Sequence, residues 1–234
     1  QPVVDARTGK IVSAEALVRW LHEQKGWISP GQFIPALEKG GYISQLDRYM
    51  IEKVTGCLNQ RRTEEKRFVP VSVNLSWMDF YDENMLEWIV RGLKKNNQNE
   101  QKIRFEITET SLAAIGENHT RMLTHLKENG AEILLDDFGN GYSSFGMLQD
   151  YDFDILKMDI SFVRNIGVNK KSESILRAII DMAHQLEIRL VAEGAETEEQ
   201  VAFLRENGCD YIQGYYYYKP MPEKEFLQLL DEGK

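Results

Sequence analysis

The sequence predicts an α/β fold: a (β/α)8 barrel of modified TIM type with an irregular hairpin start. Three observations carry this. Apolar runs of strand length alternate along the chain with segments of helical periodicity. No Pro/Gly/Ser linker or charge block interrupts the series, so residues 1–234 read as one domain with a parallel sheet and helical crossovers. A polar or charged residue closes each apolar run, namely Glu15, Asn74, Glu106, Asp136, Lys157, Glu193 and Gln213. From Asn74 on, these recur roughly every 20 to 36 positions, about the length of one strand-plus-helix unit. A closed barrel gathers its strand ends on one face, where barrel active sites lie. An open doubly wound sheet would spread them along an edge and would usually carry a Gly-rich phosphate loop after its first strand; the sequence has none.

The elements follow in order. Val3-Val4-Asp5 and the run from Ile11 to Trp20 flank Ala6-Arg7-Thr8-Gly9, which predicts an opening hairpin with Gly9 at a positive φ. Ser29-Pro30-Gly31 starts a short helix, with Pro30 in its first turn and Gly40-Gly41 ending it. A second helix over about 43–62 places Ile43, Leu46, Tyr49, Met50, Val54 and Leu58 at helical spacing. Beyond it, strands are expected at about 67–75, 102–108, 131–136, 154–159, 188–193 and 210–215. Helices are expected at about 84–97, 117–129, 171–186, 197–207 and 222–231. The chain opens on Gln1-Pro2-Val3-Val4-Asp5, already strand-like, which fits a domain cut from a longer protein.

Composition narrows the function. A formal net charge of -9 argues against a duplex nucleic-acid partner, which needs a basic face. An anionic substrate would need local cations: metal ions, Lys or Arg. Cys57 and Cys209 lack metal or redox spacing and are expected as reduced thiols of an intracellular protein. There is no apolar run of about 18 residues and no signal peptide, so this segment is expected in the cytoplasm without membrane contact; any membrane anchor would lie outside it.

Burying unpaired carboxylates is costly, so acids that recur at strand ends and converge in space predict a metal site. Glu15, Asn74, Glu106 and Asp136 are all oxygen donors, the ligands that Mg2+ and Mn2+ prefer. The four histidines (His22, His119, His125, His184) fall outside the series, which argues against zinc. Asp136-Asp137 is the sharpest local signal. Neighbours on a strand point to opposite faces, but a turn at the strand end would bring both to the mouth, one bridging two ions and the other holding the second. Two divalent ions and Lys157 would neutralise Glu15, Glu106, Asp136, Asp137 and Glu193, a balance that suits a phosphate-ester substrate. Singly, each residue has a plainer reading: Asn74 before Ser76 as a turn or cap, Glu193-Gly194 as a helix start, Lys157 as a snorkelling edge lysine. The regular spacing favours the joint one.

With these residues in view, the chain resembles the EAL-domain phosphodiesterases that hydrolyse the bacterial second messenger cyclic di-GMP to linear pGpG. The matching motifs are Glu15-Ala16-Leu17-Val18-Arg19-Trp20, Asn74-Leu75-Ser76, Glu106-Ile107-Thr108-Glu109, Asp136-Asp137-Phe138-Gly139-Asn140-Gly141-Tyr142-Ser143-Ser144, Leu156-Lys157-Met158-Asp159, Glu193-Gly194-Ala195-Glu196 and Gln213-Gly214-Tyr215, in order along essentially the whole chain. The resemblance implies that Glu15, Asn74, Glu106 and Asp136 hold a first metal and that Asp136, Asp137 and Glu193 hold a second. It implies Mg2+ or Mn2+, two per site, with Ca2+ binding but not supporting turnover. Glu193 is the implied general base, Lys157 the residue orienting the water, and Glu109 the acid holding the Asp137–Ser144 loop. Arg19 is implied as the phosphate contact, Leu17 as a pocket wall, Gln213 as support behind the ligands, and Gln1 and Pro220 as neighbours of a guanine. A homodimer within a multidomain signalling protein is implied as well. Asn140 stands where the family usually has Thr, and Trp77-Met78 where a polar pair is commoner. The alternative reading is a catalytically silent cyclic di-GMP receptor or scaffold, against which the complete ligand set argues; a third keeps barrel and metals with another phosphodiester.

Overall fold

The structure, a computed structural model, describes residues 1–96, 103–115, 119–139 and 144–233. Ten strands are defined among them: β1 (Pro2–Asp5), β2 (Ile11–Glu15), β3 (Trp20–His22), β4 (Gly26–Ile28), β5 (Val71–Asn74), β6 (Ile103–Thr108), β7 (Glu132–Phe138), β8 (Ile155–Met158), β9 (Arg189–Glu193) and β10 (Tyr211–Gln213). The helices are α1 (Pro30–Gly40), α2 (Ile43–Thr63), α3 (Glu83–Asn96), α4 (Glu109–Ile115), α5 (His119–Glu128), α6 (Ser144–Asp150), α7 (Ile160–Arg164), α8 (Lys170–Gln185), α9 (Glu198–Glu206) and α10 (Glu223–Asp231), with a 3-10 turn at Trp77–Tyr81. Eight strands close into a barrel in the order β1-β10-β9-β8-β7-β6-β5-β2. β1 runs antiparallel to both neighbours, β2 and β10, while every other neighbouring pair is parallel. This is the expected modified barrel with its hairpin start.

Period-two alternation sorts the strand residues into two environments. Outward-facing Val4, Val73, Phe105, Ile107, Ile133, Leu135, Leu156, Met158, Leu190, Ala192 and Ile212 join one apolar core with the helices. Inward-facing Val3, Leu134, Ile155 and Val191 form a small plug inside the barrel, backed by Tyr211. Below the plug, Arg104 Nε donates to Glu132 Oε2 at 2.6 Å, and Arg189 pairs with Glu132 Oε1 at 3.3 Å. Above it, the same inward positions carry Glu15, Asn74, Glu106, Asp136, Lys157, Glu193 and Gln213. The plug is therefore a floor under the mouth.

Several boundaries differ from the sequence expectation. The run from Ile11 to Trp20 is not one strand: β2 stops at Glu15, and Trp20 belongs to a separate hairpin, β3–β4, with Trp20 paired to Ile28 and Gly26 at φ +70°. The strand expected at about 67–75 begins at Val71, because Pro70 has no N–H and the Arg67 carbonyl is taken by Arg61. The last strand ends at Gln213, since Gly214 lies against the Ala195 backbone. The short elements α4, α6, α7 and the 3-10 turn escaped the periodicity reading. Cys57 and Cys209 are free thiols, as expected. Among the described residues, no helix is long and apolar enough to cross a membrane.

Candidate metal and catalytic centre

Lys157 organises the mouth. Its side chain is 2% exposed, yet four carboxylates surround its ammonium: Glu106 Oε2 at 2.6 Å, Glu193 Oε1 at 2.7 Å, Asp136 Oδ1 at 3.2 Å and Glu15 Oε2 at 3.3 Å. These side chains come from β2, β6, β7, β8 and β9, so the barrel has gathered acids that lie far apart in sequence. Glu15 is held further by Gln213 Nε2 at 2.7 Å and Asn74 Nδ2 at 3.2 Å. Gln213 also reaches Gln1 Oε1 at 3.4 Å, and Gln1 Nε2 donates to the Tyr218 carbonyl at 3.0 Å.

The two neighbouring aspartates reach the mouth through a break in register. β7 and β8 pair regularly up to Leu135 and Leu156, shift, and resume at Phe138 and Met158. Within this irregularity Asp137 takes the left-handed conformation, φ 58°, and its N–H turns onto Asp136 Oδ1 at 2.9 Å. A non-glycine residue at positive φ is uncommon and clusters at functional sites. Asp136, Asp137 and Glu193 each place a carboxylate oxygen within 4.8 Å of the others.

Short α7, unanticipated from the sequence, braces both halves of this arrangement. Asp159 caps it by accepting from the Ser161 N–H at 2.9 Å. Its Ile160 packs so closely on Gly194 that a Cβ there would lie 2.1 Å from Ile160 Cγ1, and Gly194 has φ +73°. Only glycine lets the chain turn directly after Glu193 against that helix.

Charge and burial oppose each other here. Burial disfavours ionised Glu15, but the Lys157 ammonium and the hydrogen bonds from Gln213 and Asn74 outweigh it and bring its pKa to about 2. Burial, reinforced by the Glu15 charge, pushes Glu106 well up despite Lys157. Burial also lifts Glu193 to about 7: Lys157 opposes, and Asp136 and Glu15 add to the rise. Asp137 is raised by burial and by Asp136 and Asp159. Burial alone would lower Lys157, but Asp136, Glu106, Glu15 and Glu193 hold it well above its ordinary value.

One ammonium against five carboxylates leaves a strong excess of negative charge among oxygen-only donors. That is the chemistry of a hard divalent-cation site, and the residues present fit one. The remaining sequence candidates lie outside the cluster's hydrogen bonds. Arg19 is exposed, with its Nη1 donating to the Val18 carbonyl at 2.9 Å. Leu17 and Pro220 are half-buried, the first just beyond β2 and the second in the segment after β10. Glu109 opens α4 and is buried; residues 140–143, which include Asn140 and half of the loop Glu109 was expected to hold, lie outside the described residues. Sequence reasoning passed over Asp47 and Asp79, a buried acid pair behind β5. The Ser76-to-Asp79 spacing of a capping box was the one signal available for the second of them.

Comparison with known proteins adds a separate line of observation. The family model described as EAL domain matches residues 1–220. Cyclic di-GMP phosphodiesterase NbdA of Pseudomonas aeruginosa is 34% identical over 231 residues, covering 97% of this chain and 30% of the relative. Signaling protein YkoW of Bacillus subtilis is 35% identical over 234 residues, covering 99% of this chain and 29% of the relative. The chain thus spans about a third or less of the length of these curated relatives. The solved structure of the PaMucR phosphodiesterase in complex with c-di-GMP superposes with a TM-score of 0.88 at 31% identity, covering 97% of this chain and 92% of that one.

Proposed function

The chain belongs to the EAL domain family, and from that premise we propose that it is a metal-dependent phosphodiesterase hydrolysing cyclic di-GMP to linear pGpG. The observation that carries the proposal is the convergence of Glu15, Glu106, Asp136 and Glu193 on the Lys157 ammonium, with Asp137 beside them. Glu15, Asn74, Glu106 and Asp136 would hold one ion, and Asp136, Asp137 and Glu193 the other, with Mg2+ or Mn2+ suited to the oxygen donors. Bound there, the ions supply Lewis-acid charge to the attacking and leaving oxygens of an in-line displacement. Glu193, aimed into the mouth beside Asp136 and Asp137, serves as general base toward the attacking water. Lys157, bonded to Glu193 Oε1, keeps that carboxylate oriented and offsets part of the acid excess. Arg19 offers an exposed guanidinium to a substrate phosphate, while Gln213 holds Glu15 from behind. Leu17, Gln1 and Pro220 are assigned to the nucleotide pocket, and Glu109 to the loop after β7. Ca2+ would occupy the site, but its looser shell would support little turnover.

The proposal extends to context. Residues 1–234 form one domain of a longer signalling protein, in keeping with the length of the relatives. It works in the cytoplasm as a homodimer, without duplex nucleic acid and without membrane contact by this segment. The test is incubation with cyclic di-GMP and Mn2+ or Mg2+, separating products by chromatography. Linear pGpG is expected, and Glu193→Gln should keep nucleotide binding while lowering turnover by about 10²-fold or more. Tight binding with no product under any metal would replace this reading with a silent nucleotide receptor.

A further inference from the structure

Behind the mouth lies a second acidic feature that the proposed chemistry does not use. Asp47 on α2 and Asp79 on the 3-10 turn are both buried, Asp79 completely. They converge on one backbone group: the Ser76 N–H donates to Asp47 Oδ2 and to Asp79 Oδ2, each at 3.1 Å, and Ser76 Oγ donates to Asp79 Oδ2 at 3.2 Å. Asp79 Oδ1 is buried, and among the described residues no donor reaches it. The neighbouring cation on α2, Arg48, is directed elsewhere, to Glu52 at 3.6 Å and over the Trp88 ring at 4.5 Å. Two buried carboxylates sharing one N–H donor would repel each other if both were ionised. A single proton held on one of them removes that repulsion. Burial, and after it the Asp79 charge, push Asp47 up to about 9, which puts that proton on Asp47 at neutral pH.

Ser76 is two residues beyond Asn74, which bonds Glu15 in the mouth. Between them, the Leu75 N–H continues onto the Glu106 carbonyl at 2.9 Å. The Ser76 N–H is thus the point where the chain leaves β5, and its anchoring sets the direction in which Asn74 leaves the strand. We propose that Asp47 and Asp79 are positioning residues, a carboxylic acid–carboxylate pair that clamps the Ser76 N–H and so holds Asn74 aimed into the cation pocket. The inference rests on the reading of Asn74 as a metal ligand. The pair acts as outer support of a ligand, a role whose loss typically costs about 10–100-fold in metal affinity.

The test is Mn2+ titration calorimetry at pH 7.5 on the whole chain, comparing wild type, Asp47→Asn and Asp47→Ala, with circular dichroism to verify folding. The Asn amide reproduces protonated Asp47: its oxygen accepts from Ser76, and its nitrogen donates to Asp79. Asp47→Asn should bind Mn2+ within about threefold of wild type, and Asp47→Ala about tenfold or more weakly. A second measurement needs only the isosteric variant. Between pH 8 and 10, the Mg2+ affinity of wild type should fall as the pair loses its proton, while that of Asp47→Asn stays level. Wild-type binding accompanied by equal affinity in Asp47→Ala, or by parallel pH profiles in wild type and Asp47→Asn, would overturn this inference alone. Absence of Mn2+ binding by wild type would overturn the metal reading and this inference with it.

Discussion

Replacing Lys157 with Met tests how the mouth tolerates its own charge. The substitution keeps a long buried chain but takes the ammonium away from four carboxylates at 2.6–3.3 Å. Removing one partner of a buried ion pair costs about 3–5 kcal/mol. Glu15 gives an independent figure: its pKa falls from an ordinary 4.5 to about 2 largely because of Lys157. At about 1.4 kcal/mol per pH unit, that is up to about 3 kcal/mol of stability, present above pH 4.5 and lost as pH falls through 2. Without Lys157 this contribution disappears. Glu106 and Glu193 behave in the opposite way. Their pKa values are raised on folding, so the stability of the folded state falls as pH rises from 4.5 through the folded values. Losing Lys157 raises them further and steepens that fall. The metal-free variant should therefore lose about 3–5 kcal/mol at pH 8.5 and markedly less at pH 5.5, where the freed acids take up protons. Urea denaturation in EDTA at both pH values measures it. A loss below about 1 kcal/mol at pH 8.5, or one equal at both pH values, would refute the electrostatic reasoning.

Three further outcomes are expected. Gly194→Ala forces a Cβ into Ile160 at positive φ, so it should destabilise by about 1–3 kcal/mol and lower turnover through displacement of Glu193; a variant with wild-type melting and rate would show that α7 does not brace this turn. Asp47→Asn should stabilise the chain at pH 8. The native acid must keep a proton that the unfolded chain releases near 3.8, so wild-type stability falls with rising pH up to about 9 and the variant escapes this. Denaturation profiles of the two that run parallel from pH 5 to 9 would contradict it. Finally, Mg2+, Mn2+ and Ca2+ should each raise the melting temperature by binding only the folded state; unchanged melting with all three would mean the acid cluster takes no cation.

The barrel and its ring of strand-end residues were legible in the sequence because both depend on local periodicity. Alternation of apolar residues marked each strand, the helical repeat marked each long helix, and a charge at the end of an apolar run is conspicuous against them. Asp136-Asp137 was visible as a pair and Lys157 as a lone cation. Elements of five to seven residues, such as α7, are too short to develop a periodic pattern; of β3–β4 only Trp20 falls within an expected strand, as the end of the run before it, and the rest carries no assignment from the sequence. Tertiary structure alone decided how the charges meet. The shift in register that turns Asp137 to the mouth belongs to the pairing of β7 with β8, not to either sequence segment. The four partners of Lys157 come from four different strands and meet only when the barrel closes. The Asp47–Asp79 pair likewise exists only once α2 packs behind β5, because burial and proximity, not residue type, bring two ordinary aspartates onto one Ser76 N–H.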